Sequence, residues 1–145
     1  MAIVEMAQSS RVEQADVGQL VRVYKRHKNC FGTNWIAVNQ VMIQEIAELG
    51  RGLGDECWRV MLYLLGSTGS NNRMLVNQSE IAQELSMKQP SVSRAMKKLV
   101  SSEILLKRSR EGRYWVYWLN PKIGWKGNPQ YHSSSINHWV ESVYR

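Results

Sequence analysis

Between positions 88 and 94 the chain reads Lys-Gln-Pro-Ser-Val-Ser-Arg. The polar members of that run, Lys88, Gln89, Ser91, Ser93 and Arg94, carry the hydrogen-bonding groups that recognise the edges of base pairs. A Gln amide can make two bonds to adenine, an Arg fork can make two to guanine, and a Ser hydroxyl accepts either partner. Lys97 and Lys98 follow one helical turn later, where a cation is better placed for phosphate. Lys107, Arg108, Arg110 and Arg113 then surround a Glu-Gly pair, and an Arg at such a tip could enter a minor groove or hold phosphate. The window from Lys88 to Lys126 contains ten Lys and Arg and two acids, a formal +8, while the whole chain sums to +7. The remainder is therefore close to neutral. A single positive face on a near-neutral chain is an electrostatic footprint for a polyanion, whereas a merely solvated surface intersperses the two signs.

These residues need elements to hold them. Asn77 and Glu80 have the spacing of a capping box, with Asn in the usual Ser or Thr position. Ile81, Ala82 and Leu85 give the helix they open an apolar side. A turn, Ser86 to Gln89, leads to Pro90, which suits the first helical position because its missing N–H costs nothing there. The next helix turns Val92, Ala95, Met96 and Leu99 inward and Ser91, Ser93, Arg94, Lys97 and Lys98 outward. Two strand-like runs, Ile104–Ser109 and Arg113–Asn120, flank a turn in which Gly112 supplies positive φ. Two short helices, a tight turn and a basic hairpin are the order of a winged helix-turn-helix. That fold places one helix in the major groove with its N-terminal residues on the bases.

Upstream, residues 1–18 are mixed and polar and are expected to form a mobile arm. Leu20–Arg26 and Trp35–Val38 are expected to pair as a hairpin about the turn residues of Asn29–Asn34. A helix from about Gln40 to Leu49 would bury Val41, Ile43, Ile46, Ala47 and Leu49 and stop at Gly50. A second, from about Asp55 to Leu65, would bury Trp58, Met61, Leu62 and Leu65. At the far end Ile136, Trp139, Val140, Val143 and Tyr144 recur at helical spacing. So short a helix is marginal alone and must dock on its own domain or on a second copy. The expected architecture is α+β: a winged helix-turn-helix with an N-terminal β-hairpin over residues 19–128, and a tail at 129–145 with a short amphipathic helix.

Composition closes off several chemistries. The chain has two Asp, Asp16 and Asp55, and no acidic cluster for two-metal phosphoryl transfer. Cys30 and Cys57 lack metal or redox spacing, and His27, His132 and His138 do not complete a zinc set. There is no glycine-rich phosphate loop before a Lys-Ser or Lys-Thr pair. The expectation is a protein without enzymatic activity, metal or cofactor. No stretch approaches a membrane span or a secretory signal, and two unclustered Cys fit a reducing cytoplasm. The strand Tyr114–Leu119 is apolar on both faces, so each should be covered. Core packing is the plainer reading and a stacking platform for unpaired bases the sharper one.

The segment from Asn77 to Asn128 resembles the RepL-type replication proteins of small bacterial plasmids. In them a winged helix ends in a strand that runs into Asn-Pro and an aromatic-Lys-Gly step, here Asn120-Pro121 and Trp125-Lys126-Gly127. With the hairpin and helices upstream, the likeness covers roughly residues 20–128. The resemblance implies an initiator that binds its double-stranded origin and recruits host replication proteins, without polymerase or nicking chemistry. A winged-helix transcriptional repressor with the same reading surface is the alternative. One reading helix covers few base pairs, so a homodimer on two half-sites is expected, with the tail stripe and the two-sided strand as surface for it.

Overall fold

A computed structural model describes residues 34–144 together with two short strands further upstream. The chain divides into two compact units, Met1–Trp35 and Ile36–Arg145.

In the first unit β1 (Arg11–Gln14) pairs antiparallel with β2 (Leu20–Val23), Arg11 opposite Val23 and Gln14 opposite Leu20. The expected hairpin is corrected here. Residues 1–18 include a strand, and Leu20–Val23 takes the nearer partner. A connection of a few residues is the common one between antiparallel strands, and closing it costs little entropy. The turn expected at Asn29–Asn34 lies almost wholly outside the described residues.

In the second unit β3 (Ala37–Val38) pairs instead with β7 (Gly124–Trp125). A Cβ on Gly124 would stand 3.0 Å from the Ala37 carbonyl oxygen, so this close pairing requires a glycine. Helix α1 (Gln40–Leu53) opens on Asn39, whose side-chain oxygen accepts from the N–H groups of Val41 and Met42 at 3.0 and 3.2 Å. It does not stop at Gly50. It runs on to Leu53, and Gly54, at φ 81, makes the break. Gly50 serves packing: a Cβ there would lie 2.5 Å from the Trp58 ring. Val41 and Leu49, expected inside, are 61% and 57% exposed, while Ile46 and Leu53 are buried. Helix α2 (Asp55–Ser67) buries Cys57, Val60, Met61 and Leu64 and leaves Leu62 exposed, against expectation.

Strand β4 (Arg73–Val76) leads to α3 (Gln78–Glu84) and α4 (Gln89–Ser101). Both helices end in the same way. Ser86 and Glu103 adopt positive φ, 51° and 57°. The N–H groups of Met87 and Ile104 reach back to the Ala82 and Leu99 carbonyls at 2.8 and 3.0 Å. This is the Schellman closure with a non-glycine residue in the left-handed position. The capping box at the start of α3 is half formed: the Asn77 side chain accepts from the Ser79 N–H, while the Glu80 carboxylate accepts from the Tyr114 hydroxyl.

Strands β5 (Leu105–Glu111) and β6 (Tyr114–Leu119) form the expected hairpin around Gly112, at φ 62. The sheet order is β4-β6-β5, all antiparallel, with the register shifting between Lys107 and Arg110. One sheet face, with Met74, Val76, Leu105, Tyr117 and Leu119, closes the core made by α2 and α4. The other face receives α5 (His132–Val143), where the Trp118 and His138 rings lie 5.5 Å apart. Trp139 is 3% exposed. The tail stripe therefore docks on its own unit through Trp139, while Ile136, Val140 and Val143 stay half-buried and Tyr144 is 72% exposed.

Two buried asparagines tie these parts together. Asn72, at φ 61, donates from its amide to the Leu119 and Gly124 carbonyls at 3.2 and 2.7 Å and accepts from the Lys126 N–H at 2.9 Å. Asn120 donates to the Glu103 carbonyl and accepts from the Lys122 N–H, both at 2.9 Å. Asn72→Ala leaves two carbonyls and an N–H without their partner, and each such buried group costs roughly 1–3 kcal/mol. Urea denaturation is expected to show a loss of about 2–4 kcal/mol, larger than for any exposed polar substitution on α4.

Candidate nucleic-acid interface

Helix α4 takes its orientation from its apolar side. Val92, Ala95, Met96 and Leu99 are buried, Val92 and Leu99 completely. The opposite side is thereby turned to solvent. Pro90, Arg94, Lys97 and Ser101 lie along it at helical spacing and are all exposed. Lys88, at the N-cap, and Gln89 are exposed beside them, and Ser93 is half-buried. Two expected members sit differently. Ser91 is 6% exposed, and its hydroxyl accepts from the Arg94 guanidinium at 3.2 Å, so it positions Arg94 instead of facing outward. Lys98 donates to the Leu53 carbonyl at 3.2 Å. A cation at the last carbonyls of α1 complements that helix's dipole, so Lys98 joins α4 to α1.

The hairpin bases diverge. The Lys107 ammonium lies 4.0 Å from the centre of the Trp115 ring, on the sheet face that closes the core. Arg108 faces the other way. Its guanidinium stacks on Trp118 at 4.4 Å and meets His138 Nε2 at 2.8 Å and the Ser142 hydroxyl at 3.2 Å. It thus helps hold α5. Arg110 donates to the Gly112 carbonyl at 3.0 Å, within the turn. Arg113 donates to the Tyr114 hydroxyl at 2.9 Å and pairs with Glu80 at 3.2 Å. The hydrogen bond to the Tyr114 hydroxyl, with that group's and Glu80's negative charge, pushes the Arg113 guanidinium further up from its already high range. Glu111, on the other side of the turn, pairs with Arg73.

Glu80, Tyr114 and Arg73 carry no sign in the sequence of this role. The spacing of Glu80 suggested a cap, yet its carboxylate joins the hairpin tip to the start of α3. The result is a basic helix and a basic hairpin, each braced against a neighbour, with Arg94, Lys97, Lys88, Arg110 and Arg113 exposed. Such a surface can neutralise a row of anionic groups and offer forked donors to planar acceptors. Little else in the unit offers chemistry. Cys57 is a free thiol whose pKa burial raises, with the nearby Lys98 opposing. Burial likewise raises that of Tyr117. Cys30 and His27 lie outside the described residues. Among the described residues no three His, Cys, Asp or Glu gather as a metal set, and no helix is long and apolar enough to cross a membrane.

Fold and surface together define a small α+β protein with one concentrated cationic region. The family model for the Firmicute plasmid replication protein (RepL) matches residues 8–143, and the chain belongs to that family. The match extends beyond both ends of the resemblance read from motifs, taking in β1 and all of α5. No curated protein matches the chain.

The motif residues that carry the resemblance have structural work here. Asn120 links β6 to the end of α4, and the Trp125 indole donates to the Asn128 carbonyl at 3.2 Å. A Cβ on Gly127 would come 2.8 Å from the Asn71 side chain. Removing the brace at the hairpin should separate order from stability. With Glu80→Ala, amide exchange at residues 110–114 is expected to accelerate, because the tip loses its anchor. The thermal midpoint should stay nearly unchanged, since exposed ion pairs contribute little.

Proposed function

We propose that this chain is a winged helix-turn-helix protein that binds double-stranded DNA, with α4 in the major groove and the β5–β6 hairpin as the wing. Its site is the plasmid origin, where it acts as a replication initiator. The observation that carries the reading is the exposed side of α4, Arg94 and Lys97, presented by a completely buried opposite side within the strongly basic stretch of the chain. A helix of this size fits the major groove, and its first residues meet base edges. Gln89 and Arg94 read bases, with Ser93 beside them. Lys88, Lys97, Arg110 and Arg113 hold phosphate. Lys107 and Arg108 contribute to the field from the wing, with their side chains engaged by Trp115 and by Trp118.

Membership of a replication-protein family favours the initiator over a repressor that would use the same face. The protein works without catalysis or cofactor of its own, in the cytoplasm, by recruiting host replication proteins. Two copies on half-sites about one helical turn apart would lengthen the site read.

Two measurements test this reading. If about five phosphates per chain are neutralised, log affinity for duplex should fall against log salt with a slope near about −4 to −5. A flat salt titration overturns the proposal. Arg94→Ala should weaken specific duplex binding by about 1–3 kcal/mol and relax preference at one position. Lys97→Ala should lower affinity for all sequences alike. Lys98→Ala should chiefly lower stability, since it caps α1, and should spare DNA affinity. An Arg94→Ala loss equal on every sequence would remove it from base reading.

A further inference from the structure

The sheet face turned away from the core carries two adjoining hollows, of whose lining the duplex-binding reading uses only the charge of Lys107 and Arg108. The first, about 410 Å³, lies between β6 and α5. It is lined by Trp118, Trp125, Tyr131, His138 and Trp139, and also by Ser135. Its size falls in the range of small-ligand sites, roughly 300–1,000 Å³. The second is a wide cleft of about 580 Å³ over Val116. Its cations on this face are Arg108 and Arg73, the latter paired with the one acid, Glu111, while the Lys107 ammonium is turned to Trp115 on the opposite face. Trp118 lines both hollows, with the Arg108 guanidinium stacked on its ring. An aromatic chamber therefore opens beside a cleft with a cationic excess, and Trp118 belongs to both.

We infer that this face is a second nucleic-acid site, which takes an unpaired base of single-stranded DNA into the aromatic chamber and its phosphates into the Arg73–Arg108 cleft. The chemistry matches on both counts. Every base has a π-face that stacks on indole or phenol, and the backbone follows positive charge. Paired bases are excluded, because a base already stacked in duplex cannot enter a walled chamber without leaving its partner. The Asn72 side chain lies at the chamber wall but has its amide and oxygen engaged in the backbone bonds described above. Recognition is accordingly by stacking and charge, with little sequence preference. The inference uses none of the outward residues of α4, so it stands or falls separately from the duplex reading.

The test compares a fluorescent oligothymidylate with a duplex on the full chain, by anisotropy at low salt. Trp118→Ala removes the aromatic side chain common to both hollows. Ser135→Phe fills the chamber while leaving its rings in place, which guards against an effect of misfolding alone. Each is expected to weaken single-strand binding at least tenfold and leave duplex affinity within twofold. Trp118→Phe, which keeps a stacking ring, should restore most of it. Arg94→Ala should show the reverse pattern, with loss on duplex only. If thymidine monophosphate competes as tightly as the strand, the chamber is a free-nucleotide site and the inference is overturned. It is equally overturned if Ser135→Phe leaves single-strand affinity unchanged, or if both variants lower duplex and single-strand binding together.

Discussion

The outward charges of α4 are aimed by the packing of that helix against α2. Val60, Val92 and Leu99 have no exposure and Met96 and Cys57 have 1%, so the helix has one rotational setting. A helix so constrained puts residues three and four apart on a common line, which is why Pro90, Arg94, Lys97 and Ser101 emerge together. The cost of rotating α4 is the loss of that buried surface, at roughly 25 cal/mol per Å². No contact among the outward side chains approaches such a term, because exposed ion pairs are worth little. The apolar residues, which touch no ligand, therefore decide where the polar ones point.

The hairpin is fixed by different means. Its base is in the core through Leu105, Tyr117 and Leu119, but its tip is beyond reach of that packing. The polar braces are found there: Arg113 and Tyr114 on Glu80, and Arg73 on Glu111. They restrict orientation more than they add stability. A similar division holds at the other end of the sheet, where the buried amides of Asn72 and Asn120 satisfy backbone groups that no regular strand supplies. Buried polar groups must find partners. These two find them at the points where β6, β7 and the end of α4 meet, so the irregular chain between residues 120 and 127 has a definite path.

Much of this was legible from the sequence, and its limits have a physical cause. Periodicity places residues on the sides of one element, so the helices around Ile81 and Val92, the hairpin at Gly112 and the basic side of α4 could be read directly. Periodicity does not say which other element arrives at a given side. Val41, Leu49 and Leu62 have apolar spacing yet remain exposed, because the neighbouring elements cover only part of each stripe. Leu20–Val23 was recognisable as a strand, but its partner was not, since β pairing depends on tertiary context more than on propensity. Gly50 reads as a helix stop from its type alone, and only the Trp58 ring above it explains why a glycine stands inside the helix.

The same limit applies to the surface, and it divides the basic residues by role. Charge in the sequence identifies the region, while contacts determine what each charge can reach. Lys98 is directed to a helix end, Ser91 to Arg94, and Arg108 to the face of Trp118 and to α5. Arg94 and Lys97 remain outward on the helix, and Arg110 and Arg113 at the turn. Arg108 shows why this division matters. It belongs by sequence to the hairpin's basic cluster, yet its guanidinium lies on the sheet face opposite Lys107. Alternation along a strand sends neighbouring side chains to opposite faces. A continuous run of bases in a hairpin must therefore serve two surfaces, and the tail helix has been packed onto one of them.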